Sequence, residues 1–195
     1  FEKAFADFVA VPLAVACNSA TAALHMALAA LEVGPGDEVV VPSMTFVATA
    51  NAVRYCGAIP VFADIESLDE WNVGAASIER VMTPRTRAII VVHYAGYPCD
   101  MREIMALSER TGVPVVEDVA HQHGSRWRGK GAGALGDAGS YSFQQSKVLT
   151  CGEGGAVTTN SEEVYSTVFA LKQVGWTPKN PRKSLFDNLV PGNRY

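Results

Sequence analysis

The chain has little charge, few cysteines and no long apolar run. Only 18 % of its 195 residues are charged, and 16 basic side chains against 20 acidic ones leave a net charge of −4. A nucleic-acid footprint needs Lys and Arg clustered on one face, and this balance disfavours one. Cys17, Cys56, Cys99 and Cys151 stand far apart and form no C-x-x-C pair, which suits a reduced compartment better than a disulfide scaffold. No stretch approaches the roughly 20 apolar residues of a membrane helix. Residues 1–8 carry Glu2, Lys3 and Asp7 and lack the basic-then-apolar order of a signal peptide. No G-x-G-x-x-G follows an early strand, which disfavours a dinucleotide-binding redox protein. Against these absences, 48 % of the residues are hydrophobic, ample for a buried core and incompatible with disorder over most of the length. The expectation is a soluble, globular, cytoplasmic protein with no nucleic-acid or membrane partner.

Apolar runs of strand length alternate with segments of helical period. Strands are expected at 13–17, 38–42, 59–65, 88–92 and 113–118, then at 140–143 and 156–159, because these runs are short and several are rich in β-branched residues. Pro60 should sit at the beginning of its strand. Helices are expected at 19–32, 45–55 and 77–82, from the Asp100 cap to Gly112, and at 161–174. Phe1, Ala4, Phe5 and Phe8 read as the apolar stripe of a further helix. That helix has no cap, and the last residues come after a loop, so the chain reads as a fragment of a longer one. Repeated β-then-α with continuous apolar strands implies a three-layer α/β/α fold around a mostly parallel sheet. Such sheets bind ligands beyond the carboxyl ends of their strands, so the residues just after each strand are the ones to read.

Four features there can carry chemistry. Ser19-Ala20-Thr21 lies between a strand and a helix, where hydroxyls and free N–H groups suit a phosphate; taken alone, Ser19 is equally an ordinary helix cap. No Gly-Lys-Ser/Thr comes after it, so this is not a P-loop. Glu117-Asp118 ends a strand of Val and Pro, where a carboxylate is costly unless it meets a cation or several donors; Asp118 can also simply cap the next segment. His121 and His123 invite a metal, but no third ligand is evident nearby, and His25 reads as surface or core filler. Lys147 is set among uncharged neighbours before a Gly-rich turn, unlike Lys3, Lys130, Lys172, Lys179 and Lys183. A lysine in a low-dielectric site is a usable amine nucleophile, suited to a Schiff base, although a single lysine commonly snorkels to solvent. Phe46 can lie flat on a planar ligand or belong to the core. Together these features match the phosphate, ring nitrogen, aldehyde and ring face of pyridoxal 5′-phosphate.

The stretches 19–24, 34–39, 42–48, 83–90, 92–93, 117–124 and 142–156 together resemble the DegT/DnrJ/EryC1/StrS sugar aminotransferase family of fold-type I pyridoxal-phosphate enzymes. The resemblance implies that 1–195 is the cofactor-binding large domain, without the family's first helix and carboxy-terminal small domain. It implies that Lys147 bonds the cofactor and shuttles the proton, and that Asp118 faces the ring nitrogen. Phe46 would stack on the ring, and His121 would lie near its hydroxyl. Ala20, Thr21 and Ser142 would hold the phosphate, and no metal is implied. Ala20 stands where the family usually has Gly, which is tolerable if φ is negative there. Asn193 lies near the motif that reaches the partner's phosphate across the family's homodimer interface, with Arg194 disturbing the pattern. The implied activity is transfer of an amino group from glutamine or glutamate to a keto-sugar or cyclitol ketone, in antibiotic, aminoglycoside or cell-surface sugar biosynthesis. The Gln-rich run 143–147 resembles scyllo-inosose aminotransferases and 3-amino-5-hydroxybenzoate synthase. Sugar dehydratases of the family carry His in place of the lysine, so Lys147 argues against that activity. A non-catalytic, regulatory relative is a third reading, against which Lys147, Asp118 and the phosphate cradle stand.

Overall fold

The computed structural model describes residues 1–121 and 123–177. Its elements run α1 (Glu2–Val9), β1 (Leu13–Cys17), α2 (Ala20–Ala30), β2 (Glu38–Pro42), α3 (Val47–Tyr55), β3 (Ile59–Ala63), α4 (Ala75–Val81) and β4 (Thr86–Val92). They continue with α5 (Met101–Thr111), β5 (Val115–Asp118), β6 (Arg126–Trp127), β7 (Lys130–Gly131), β8 (Ala138–Ser142), β9 (Gly155–Thr159) and α6 (Glu162–Lys172). Seven strands form one sheet in the order β1-β9-β8-β5-β4-β2-β3. Within it β9 alone is antiparallel to its neighbours, β8 and β1.

Successive strand residues point to opposite faces, and the core divides accordingly. Val39, Val41 and Ile90 pack with Leu24, Leu28, Val53 and Val168, from α2, α3 and α6. Val40, Ile89 and Val91 pack with Ile78, Ile104 and Leu107, from α4 and α5. At the β1–β9–β8 end, Phe5 and Val9 of α1 pack with Ala14, Ala156 and Tyr141, while Val15 and Val157, one residue on, belong to the α2 side. The expected three-layer α/β/α architecture is the one observed.

Several boundaries differ from the sequence expectation. Pro60 is the second residue of β3, tolerated because β3 lies at the sheet edge. Helix α3 begins at Val47 with Phe46 at its cap position, leaving Thr45 and Phe46 in the loop. The stripe expected at Phe1, Ala4, Phe5 and Phe8 is rotated: Phe5, Ala6 and Val9 are buried, while Phe1 and Phe8 are exposed. The small β6–β7 hairpin has too few residues to show a period.

Gly155 permits the closest backbone approach relevant to the site. A Cβ on it would lie 2.3 Å from the Ser19 carbonyl carbon and 2.8 Å from the Ala20 nitrogen, so β9 runs directly against the start of α2. Overpacking of this kind costs ~1–3 kcal/mol. Gly155→Ala is therefore expected to lower stability by ~1–3 kcal/mol in urea denaturation. Gly34→Ala, whose Cβ would meet nothing within 4 Å, should leave stability unchanged or slightly raised.

Candidate active site

Beyond the carboxyl ends of β1, β2, β5 and β8 lies a cavity of about 420 Å³. Ala20, Thr21, Phe46, Asp118, His121, Ser142 and Lys147 all line it, so the structure brings every site residue expected from the sequence within the described chain into one place. Asn193 and Arg194 lie outside the described residues, as do Lys179 and Lys183.

Each wall is set by a local device. Ser19 caps α2, its hydroxyl accepting from the Ala22 amide at 3.1 Å, and it lines the cavity as well. The cap and the anion site are thus one feature: the first-turn amides of Ala20 and Thr21 are left to face a ligand. Ala20 is the first residue of α2 and is absent from the residues with positive φ, so its Cβ costs nothing there.

Asp118 ends β5, almost wholly buried. The Thr49 hydroxyl donates to one carboxylate oxygen at 3.1 Å, and the Ala120 amide to the other at 3.1 Å. Burial pushes its pKa up, against those two donors and the nearby histidines. The Thr45 and Thr49 hydroxyls are 2.7 Å apart. Thr49 was missed in the sequence; the signal was a second hydroxyl four residues after Thr45, in the first turn of α3.

His121 accepts at Nδ1 from the Ala95 amide at 3.0 Å, so its ring proton sits on Nε2. Burial and the Lys147 charge lower its pKa, with Asp118 opposing, which favours the neutral ring. Ala95 reaches this position with φ 50° and ψ 20°, left-handed values uncommon for a residue with a Cβ. His123 does not share the cavity; it stacks on Phe143, with 5.0 Å between centroids. Among the described residues, no group of three or more His, Cys, Asp and Glu is placed to hold a metal ion. His25 packs on Tyr55 at 5.7 Å.

Lys147 is half-buried rather than enclosed as the sequence suggested, because the turn carrying it opens to solvent on one side. Lys3 and Lys172 are each bound to a carboxylate, whereas the Lys147 ammonium has no such partner among the described residues. Gln144 uses its side-chain carbonyl to accept from the Ser146 amide and hydroxyl, at 2.8 and 2.6 Å. It thereby closes the turn that presents Lys147, a role that accounts for one glutamine of the Gln-rich run without any substrate.

The whole chain, residues 1–195, matches the model of the DegT/DnrJ/EryC1/StrS aminotransferase family. The chain belongs to this family. A curated relative, the GDP-perosamine synthase of Caulobacter vibrioides, is 47 % identical over 178 residues, which are 91 % of this chain and 48 % of that protein. Among solved structures, an aminotransferase from Psychrobacter cryohalolentis is 40 % identical with a TM-score of 0.87, over all of this chain and 48 % of its own. The synthase of 3-amino-5-hydroxybenzoic acid is 38 % identical with a TM-score of 0.87, over 93 % of this chain and 47 % of its own. The chain thus spans about half the length of the relatives it matches, and its fold is that of the fold-type I class.

Glu117 is the other buried carboxylate at the end of β5, and it meets four donors. They are His93 Nε2 at 2.9 Å and the amides of Gly133, Leu135 and Gly136 at 2.7–2.8 Å. Burial would raise its pKa, but these donors hold it below the usual carboxylate range. Burial opposes a charge on His93, while the neighbouring Glu117 carboxylate favours one. A second ring proton would, however, have to occupy Nδ1, where the Cys99 amide already donates at 3.1 Å. The geometry therefore assigns the neutral ring with its proton on Nε2.

The two neighbouring carboxylates have opposite linkage signs. Glu117 has a lowered folded pKa, so its contribution is present above the ordinary 4.5 and is lost as pH falls through the lowered value. Asp118 has a raised one, so stability is lost as pH rises from the ordinary 3.8 through the raised value. Glu117→Gln should cost ~3–5 kcal/mol at neutral pH. Asp118→Asn, which can accept from Ala120 and donate to Thr49, should raise the melting temperature of the cofactor-free protein at neutral pH. When melting is followed from pH 8 downward, the Asp118→Asn difference should shrink as pH falls toward 3.8, whereas the Glu117→Gln difference should begin to shrink only below pH 4.5.

Proposed function

We propose that this protein transfers an amino group from an amino acid, glutamine or glutamate, to a ketone on a sugar, using pyridoxal 5′-phosphate. One observation carries the reading: a capped helix N-terminus, a buried carboxylate and a lysine, neither with an ion-pair partner among the described residues, converge on one cavity. Those residues fit the cofactor. The amides of Ala20 and Thr21, with the Thr21 and Ser142 hydroxyls, would take its phosphate. Asp118 would meet a protonated ring nitrogen, the cation its burial calls for. Phe46, 68 % exposed, would cover one face, and His121 would donate from Nε2 to the ring hydroxyl oxygen. Lys147 would hold the aldehyde carbon. When bound, the cofactor supplies an electron sink for a carbon that has lost a proton.

The remaining work falls to the chain's own groups. The Lys147 amine takes the proton from the donor's α-carbon and delivers a proton to the carbon that leaves with the nitrogen. Asp118 remains ionised and keeps the ring nitrogen's proton in place. Its Thr49 and Ala120 donors prevent the carboxylate from rotating away. Donor and ketone use the same cavity in turn, so the kinetics are ping-pong. A keto-sugar acceptor is supported by the 47 % identity to GDP-perosamine synthase. We read residues 1–195 as the cofactor-binding part of a larger cytoplasmic homodimer, a reading supported by the family and by the half-length match. No helix among the described residues is long and apolar enough to cross a membrane.

Purified protein mixed with pyridoxal phosphate should show a visible absorbance band that borohydride abolishes by fixing the cofactor to Lys147. Lys147→Ala should lack the band, and its transfer rate should fall by at least a thousandfold. A band retained in Lys147→Ala, or none in folded wild type, overturns the reading.

A further inference from the structure

Asp118 is the inner end of a row of oxygens that runs out to the loop before α3. Thr49, wholly buried in the first turn of that helix, bonds Asp118 Oδ2 at 3.1 Å. Its Oγ1 lies 2.7 Å from Thr45 Oγ1, and Thr45 Oγ1 lies 3.3 Å from the Phe46 carbonyl oxygen. The other carboxylate oxygen of Asp118 is held by the Ala120 amide. The Phe46 carbonyl also accepts from the Thr49 amide at 3.1 Å. The row therefore runs from a carboxylate in the cavity to the backbone of Phe46, the cap residue of α3, whose own side chain makes no capping bond.

Proton counting allows this row two states. A hydroxyl carries one proton and can donate once, and two hydroxyl oxygens 2.7 Å apart must have a proton between them. An ionised Asp118 only accepts, so the Thr49 proton points to Oδ2 and the Thr45 proton must point to Thr49. The Phe46 carbonyl then receives nothing from Thr45. When Oδ2 carries a proton, the row reverses: Oδ2 donates to Thr49, Thr49 to Thr45, and Thr45 to the Phe46 carbonyl. A mixed arrangement leaves two protons facing each other or none between the threonines, and an unmade buried hydrogen bond costs ~1–3 kcal/mol. The change from one state to the other needs only a turn of each hydroxyl about its own bond. Burial raises the Asp118 pKa, which brings the protonated state within reach, and a cation against the carboxylate selects the ionised one.

We propose that Thr49 and Thr45 are positioning residues that relay the charge of Asp118 to the backbone carrying Phe46. The relay rests on the amino-transfer reading for its purpose: Asp118 is held ionised by a protonated ring nitrogen, and Thr45 then releases the carbonyl of the residue that covers the ring. The relay itself needs no cofactor. The other ionisable groups facing Asp118 are His121 and His93, with Lys147 and Glu153 across the cavity. None of them hydrogen-bonds to either threonine among the described residues.

Carbon-13 NMR of the whole protein, labelled at aspartate carboxyl and phenylalanine carbonyl carbons and titrated from acid to alkaline pH, tests it. Without cofactor, the Phe46 carbonyl signal should shift with the same midpoint as the Asp118 carboxyl. Asp118→Asn, which leaves both histidines intact, should hold that signal still. Thr45→Val should abolish the Phe46 response while the Asp118 carboxyl still titrates. Thr49→Val should abolish it too and raise the Asp118 midpoint by about one unit, through loss of a hydrogen bond to the charged form. Thr49→Ser should restore both. A Phe46 signal that does not follow Asp118 in wild type, or that follows it unchanged in Thr45→Val, overturns the proposal. With pyridoxal phosphate bound, the wild-type Phe46 signal should stay at its alkaline position as pH falls. A signal that still follows Asp118 with the cofactor present would leave the relay standing and overturn the amino-transfer reading instead.

Discussion

Where β5 ends, a carboxylate is held inside the sheet with no access to water, and its four donors come from two separate loops. Glu117 draws the 133–136 loop inward through three backbone amides and fixes His93 through Nε2. His93 in turn holds the Cys99 amide and so closes the segment beyond β4. A buried carboxylate left with fewer partners would be too costly to keep ionised. Satisfying it therefore positions the end of β4, the end of β5 and the approach to β8 together. The cavity is built on those ends.

The next residue along the strand points to the other face and has the opposite electrostatic condition. Asp118 receives only a hydroxyl and one amide, so burial prevails and its pKa rises. Glu117 is complete without a ligand, and Asp118 is left to be completed by one. Adjacent carboxylates of a single strand thus divide into a group that stabilises the fold and a group that stores unfavourable energy for binding, the usual sign of a functional site. His121 obeys the same logic one step further out. A left-handed Ala95 accepts backbone strain to place its amide on Nδ1, which directs a ring proton the other way.

Much of this was legible in the sequence because it is local. The β-then-α alternation implied the layers, and the positions around strand ends singled out Ala20, Thr21, Phe46, Asp118, His121 and Lys147, while Ser142 came from the family resemblance. What escaped depends on contacts between distant segments. Gly155 matters because it meets Ser19, across most of the chain length. The Glu117 carboxylate plainly needs donors, yet three of its four are backbone amides of the 133–136 loop, which no side chain announces, and the fourth, His93, lies on another strand. Ala95 acts through its amide alone, which no residue type reveals. The orientation of α1 was misjudged because three phenylalanines look alike until the sheet decides which is covered; Phe5 meets Tyr141 and Phe143 edge-on, and Phe8 is left outside.

On the proposed function, one cavity would position phosphate, ring nitrogen and aldehyde through three separate strand ends. A crystal structure of the protein grown with pyridoxal phosphate tests this most directly. Electron density should be continuous with Lys147 Nζ, with the phosphate against the amides of Ala20 and Thr21 and the ring nitrogen within hydrogen-bond distance of Asp118. A cofactor bound elsewhere, or a ring nitrogen turned away from Asp118, would contradict it.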